Sequence, residues 1–266
     1  MSPDRRRRLA PAAAAAALLC ATGLLLGGCA GAEDGGAQAG GPVAPAAAGQ
    51  GGHAGKAAPD LPVADAAPRE IPALGPKTLA QIPDSTHQAV VVTGDAPDSN
   101  RGTAQRYVRE TAGEGGWRAV GDPWPTRNAL KGWTDHHVQG DLKSPIGVFG
   151  LTDAGGHEPD PGTELPYDRG PAFVARGTNV EGEPLGDAFD YVVAVNYNRK
   201  PGTTPLDWTR PLGASRGGGI WFHVDHGGPT QGCISQAKAQ MKELLRWLEP
   251  AAKPVVVMGD AGALGR

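Results

Sequence analysis

A mainly β domain is what this chain predicts for its later part, on three observations. From Ile82 onward, short apolar runs recur between turns rich in Gly and Pro. The run 189–198 (FDYVVAVNYN) alternates cleanly, with Tyr191, Val193, Val195 and Tyr197 on one face and Val192, Ala194 and Asn196 on the other. Only one segment, after Cys233, places apolar residues (Met241, Leu244, Leu245, Leu248) at helical spacing.

Taken in order, 88–93 (QAVVVT) is a strand, and 104–110 with 117–120 is a hairpin closed by Gly113, Glu114, Gly115 and Gly116. The stretch 121–140 has little periodicity and reads as loop, carrying Trp124, Trp133 and the adjacent pair His136 and His137. That pair, with His157 nearby, has no His-x-x-x-His or Cys pairing to make a zinc site, so it reads as solvated loop histidines. Residues 144–149 (SPIGVF) form a turn leading into a strand, and 155–184 reads as long loops walling a groove, its acidic residues a solvated face. Asn196 and Asn198 close the 189–198 strand, as caps or as peptide ligands. In 220–224, Ile220, Phe222 and Val224 share one face and Trp221 and His223 the other. Gly227, Gly228 and Pro229 break that strand, and Ser235 is placed to cap the helix that Pro250 ends. A helix N-terminus there favours a thiolate at Cys233. Residues 253–258 (KPVVVM) are a closing strand.

The start of the chain is not core material. Residues 1–28 carry Arg5 to Arg8 and then an alanine- and leucine-rich run, a secretory signal. Leu26-Gly27-Gly28-Cys29 fits the bacterial lipobox, which makes Cys29 a lipidation site and the new N-terminus. From 29 to 79 the chain is mostly Ala, Gly and Pro and reads as a disordered tether, leaving 80–266 as the folded domain. Without the leader's four arginines and one aspartate the chain has 21 basic and 27 acidic residues, a net of -6. That balance speaks against nucleic-acid binding and against non-specific adhesion to anionic polymers.

The cysteines narrow the chemistry. Cys20 leaves with the signal and Cys29 is taken by lipid, so Cys233 is a lone thiol in an oxidising compartment. With His223 ten residues before it and a glycine-rich turn between, it reads as a nucleophile with its base. His226 is the rival base; His223 is preferred because a strand seats it rigidly, with Asp225 or a main-chain carbonyl to orient it.

Thr230-Gln231-Gly232-Cys233 resembles the [Ser/Thr]-His-Gly-Cys box of the L,D-transpeptidases, the YkuD family, and 144–149 is similar to that family's [Thr/Ser]-Pro-x-Gly-x-[Phe/Tyr] element beside the active-site cleft. The family's second histidine is here Gln231, and the gap from His223 to Cys233 is shorter than usual. The resemblance covers about 86–260. It implies a YkuD-like β-sandwich or barrel with one helix after the catalytic cysteine. It further implies a peptidoglycan L,D-transpeptidase making 3-to-3 cross-links between stem peptides; the leader and lipobox place it outside the cell membrane, lipid-anchored and facing the wall. Cys233 is then the nucleophile, His223 the proton donor and acceptor, and Gly232, Cys233 and Gln231 the oxyanion and substrate donors. No metal or organic cofactor is implied. Three rival readings share these residues: an L,D-carboxypeptidase that resolves the thioester with water, an inactive wall-binding lipoprotein, and a zinc amidase using His223 and His226.

Overall fold

The computed structural model describes residues 70–110 and 115–266. Its strands are β1 (Gln88–Gly94), β2 (Arg101–Arg109), β3 (Trp117–Arg127), β4 (Trp133–Thr134), β5 (Ser144–Pro145), β6 (Gly147–Gly156), β7 (Tyr167–Arg169), β8 (Val192–Val195), β9 (Trp221–Val224), β10 (Ile234–Gln236) and β11 (Val255–Asp260). The helices are α1 (Pro76–Leu79), α2 (Lys238–Trp247) and α3 (Ala261–Leu264). The mainly β expectation holds, with α2 the long helix after Cys233. The signal, Cys29 and most of the tether lie outside the described residues, as do Gly113 and Glu114 of the hairpin turn.

The main sheet runs β11-β1-β2-β3-β10-β9-β8-β6-β7, and β11 also pairs with β6, so the sheet closes on itself. β6 makes closure possible by serving two partners: Gly147 to Gly150 face β11, and Leu151 to Gly155 face β8 across an irregularity between Leu151 and Asp153. Such a bulge bends a strand and adds twist.

Period-two alternation then sorts each strand between two environments. Val90 and Val92 of β1, Val256 and Met258 of β11, Val193 and Val195 of β8, and Phe222 and Val224 of β9 point into one core with Met241, Leu244, Leu245 and Leu248 of the α2 region. All four of these helix-side residues are fully buried, each worth about 1.5–3 kcal/mol relative to exposure. The opposite faces are buried too, under other segments. Ala89, Val91, Val255 and Val257 pack with Ile71, Ile82 and Leu264, whereas Val192, Ala194 and Trp221 pack with Phe173, Phe189 and Cys233. The site therefore lies on the outer face of β8, β9 and β10, beneath loops.

Two expectations shift. The folded part begins before residue 80: Ile71 is buried, and α1 docks on the chain end through Gly75 N–H to Leu264 O (2.9 Å) and Lys77 N–H to Arg266 O (3.0 Å). Alanine and proline richness hid this, because only Ile71, Leu74 and Leu79, spaced without a clear period, supply the anchor. The supposed loop 121–140 begins as strand, since β3 continues to Arg127. The register shift opposite Ala104 and Arg106 breaks its alternation, which is why no periodicity shows.

Candidate active site

β9 and β10 run parallel, with Ile234 opposite Phe222 and Ser235 opposite His223. Residues two apart on a strand share a face, so Cys233 and Ser235 project on the same side as Trp221 and His223. Cys233 packs against the cluster containing Trp221 and Phe189. His223 is its diagonal neighbour on the adjacent strand, and among the described residues no hydrogen bond joins the two side chains.

The Thr-x-Gly-Cys box is a closed turn. Thr230 Oγ1 donates to Cys233 O (2.6 Å) and accepts at 3.3 Å from the Gly232 N–H, while Thr230's backbone is tied to Asn128 and Leu130. Gly232 packs closely under Ile220, whose Cδ1 would lie 2.9 Å from a Cβ added there and would have to turn aside. The chain after Cys233 enters β10, and α2 begins only at Lys238. The helix start expected at Ser235 is absent, and with it the dipole argument for a thiolate. Ser235 instead donates to Asp225 Oδ1 (3.2 Å).

Cys233 is half-buried; its thiol lies 3.5 Å from Gly219 O and opens on a cavity of about 180 Å³ bounded by His137, Gln139, Gly219, Gln231 and Gly232. The lip of this cavity, Gly217 to Gly219, runs at φ of 65°, 142° and 68°, where side chains are strained. A Cβ at Gly217 would also press on His137 Nε2 at 2.7 Å. Asn198 holds the lip, its Nδ2 donating to Gly213 O (3.0 Å) and Gly217 O (2.6 Å). Asn196 accepts from Arg199 Nη1 (2.7 Å), so both asparagines serve the fold.

Desolvation pushes the Cys233 thiol up to about 11, against the opposing pull of the Trp221 N–H. Burial takes His223 down to about 4, outweighing the Val224 carbonyl that favours its charge. The free site therefore holds a neutral thiol and a neutral imidazole. His223 Nδ1 lies 2.8 Å from Val224 O, and a carbonyl can only accept, so Nδ1 carries the proton and Nε2 is the basic nitrogen. The orienting group is this main-chain carbonyl; Asp225 turns to Arg127 and Ser235.

His226 is not loosely held. Its side chain is 2% exposed, lies 3.5 Å from Glu183 Oε1, and stacks on His223 with ring centres 5.6 Å apart. Phe189 meets the same imidazole edge-on at 5.6 Å, fixing its plane. Glu183 is no solvated acid either. It accepts from Asn179 Nδ2 (2.9 Å) and fits over Gly228, where a Cβ would meet Oε1 at 2.2 Å. Against desolvation, hydrogen bonds from its own backbone N–H, from Asn179 and from the Glu181 N–H hold its carboxyl below the usual range. Asn179 also accepts from Gln231 Nε2 (3.2 Å), so the Gln231 amide, expected to face an oxyanion, has one N–H turned to this loop.

His137 is what the sequence reading missed. Its neighbour His136 is solvated as expected, with a side chain 85% exposed, but His137 is buried at 4%. It reaches the Cys233 cavity from a loop nearly a hundred residues upstream, and no local pattern signals that placement. Among the described residues no group of three His, Cys, Asp or Glu side chains is gathered for a metal.

A half-buried thiol open to a cavity, with an imidazole on the same face of the neighbouring strand, is an arrangement compatible with cysteine-dependent acyl transfer. The L,D-transpeptidase catalytic domain family, YkuD, matches residues 117–257, more than half of the chain, and the chain belongs to that family. No curated protein matches it.

Proposed function

We propose that this domain cross-links peptidoglycan stems 3-to-3 through a Cys233 thioester. The observation that carries the reading is the parallel pairing of β9 with β10, which seats Cys233 and His223 on one face inside a family whose chemistry is L,D-transpeptidation. Cys233 Sγ attacks the carbonyl of the third residue of a tetrapeptide stem while His223 Nε2 takes the thiol proton. The tetrahedral oxyanion is met by the Cys233 N–H and by the Gly232 N–H, which leaves its long contact with Thr230 Oγ1. Collapse expels terminal D-alanine, whose amine takes the proton from His223. An amine of a second stem then displaces Cys233.

The test is to incubate the domain with a defined disaccharide tetrapeptide and weigh the products. A dimer formed with loss of one alanine is expected; tripeptide alone makes the enzyme an L,D-carboxypeptidase and overturns transpeptidation. We further place the protein outside the cell membrane, anchored by lipid on Cys29 and facing the wall, on the strength of Leu26-Gly27-Gly28-Cys29 and the charged, apolar leader. Cys29→Ala is expected to move the protein from the membrane fraction or block its processing, and unchanged fractionation refutes the anchor.

A further inference from the structure

Of the described titratable residues bounding the Cys233 cavity, the second is His137, and nothing in the reaction as derived so far uses it. Its position is built. Nδ1 lies 3.0 Å from Asp141 Oδ1, and the Asp141 carboxylate is fixed by the Val138 N–H (3.0 Å) and the Lys143 N–H (2.9 Å). Tyr197 stands edge-on to the ring at 5.3 Å and its hydroxyl reaches both His137 O (3.3 Å) and Arg216 O (2.8 Å). The ring rests against the backbone at Gly217, and Cε1 lies 3.7 Å from where a Cβ on Gly232 would be. This is more scaffolding than a surface histidine of no use receives.

The chemistry follows from the tautomer. Asp141 Oδ1 lies 3.0 Å from Nδ1, off the line of a full hydrogen bond, and the Lys143 carbonyl is a second acceptor at the ring; a proton held on Nδ1 beside the carboxylate leaves Nε2, for which no hydrogen bond is present among the described residues, as the base. Burial holds the imidazole below the ordinary histidine range, ahead of the opposing pull of Asp141, so it is the free base at neutral pH. His223 stands apart from it, packed among Phe189 and His226, and is not part of the cavity lining.

We infer that His137 is a second catalytic base of this site, serving the amine that resolves the acyl-enzyme, with Asp141 as its positioning residue. The assignment rests on the acyl-transfer reading above. In that step the nitrogen of a free-base amine attacks the thioester carbonyl of Cys233. The C–N bond forms as the C–S bond breaks, and the electron pair leaves on Sγ. The amine's surplus proton passes to His137 Nε2 and returns to the thiolate, so the site ends neutral, as it began. Two bases on separate elements let donor and acceptor stems approach the thioester without sharing one imidazole.

The test is rapid-quench mass spectrometry of full-length domain with a disaccharide tetrapeptide, following both the acylated protein and the cross-linked product. In His137→Gln, acyl-enzyme is expected to form at the wild-type rate and to accumulate, while its resolution by amine slows roughly 10²-fold or more. A merely structural histidine would slow both steps together or neither, and either result overturns the inference, as does loss of acylation alone. Should His137→Gln fail to fold, Asp141→Asn keeps the imidazole and frees its orientation, and about a tenfold slowing confined to the second step is expected. Equal rates in that variant overturn the inference. If wild-type protein forms no acyl-enzyme with this donor, the parent reading has failed, and this one falls with it.

Discussion

Cys233→Ala is expected to lower cross-linking by at least about 10³-fold, with the fold intact, because a covalent route has no substitute once its nucleophile is gone. The fold survives because the thiol is half-buried and the hydrogen bond it donates is long, 3.5 Å to Gly219 O, so its loss costs about 1 kcal/mol or less. Cys233→Ser tests the point more sharply. A hydroxyl is far harder to deprotonate than a thiol, and with the thiol already pushed up to about 11, desolvation outweighs the Trp221 N–H that favours the anion in the free enzyme. Product mass spectrometry beside a thermal melt makes the measurement. Turnover above a few percent of wild type in either variant removes Cys233 from the mechanism.

His223→Ala should cost about 10²–10⁴-fold in the acylation rate, while His226→Ala costs less than about tenfold, because only the former removes a general base. His226 contributes by stacking, so its loss loosens the base without deleting it. The pH profile follows from the shifts. His223 must be unprotonated to act, and burial holds it at about 4, so activity is present above that value and is lost as pH falls through it. With the Cys233 thiol protonated up to about 11, kcat/KM is expected to be flat across the neutral range rather than bell-shaped about pH 7. Iodoacetamide alkylation of Cys233 across pH gives an independent reading. Its midpoint should lie above the free-cysteine value of about 8.5 and change little in His223→Ala. A midpoint well below that value would mean a preformed thiolate–imidazolium pair and would refute the neutral ground state. His223→Gln, which retains more of the buried volume, separates lost chemistry from lost packing.

Much of the strand content was legible because β8 and β9, buried on both faces, leave short runs of β-branched and aromatic residues between turn residues. Val193 and Val195 fell on the face read for them, and so did Phe222 and Val224, because a strand's period is fixed by backbone geometry alone. The family was legible for a related reason. Thr230, Gly232 and Cys233 form one local turn whose hydrogen bonds join residues two and three apart, so sequence spacing carries the whole structure of the box. Where a strand pairs across an irregularity, as β3 does with β2, the period slips and the reading failed.

What the chain alone determined, then, is the presence of a mainly β domain, its helix after Cys233, and a thiol with an imidazole ten residues before it. Only the tertiary structure decided the surroundings of that pair. Ser235 enters β10 rather than capping a helix because the parallel partner β9 satisfies its backbone, a long-range bond that local propensity does not report. Burial, which makes both thiol and imidazole neutral, is a sum over loops contributed from Phe189 to Gly219. The Glu183 seat over Gly228 and the arrival of His137 at the cavity join segments separated by tens of residues, and such contacts leave no periodic trace in a sequence because loop backbones follow no repeating geometry.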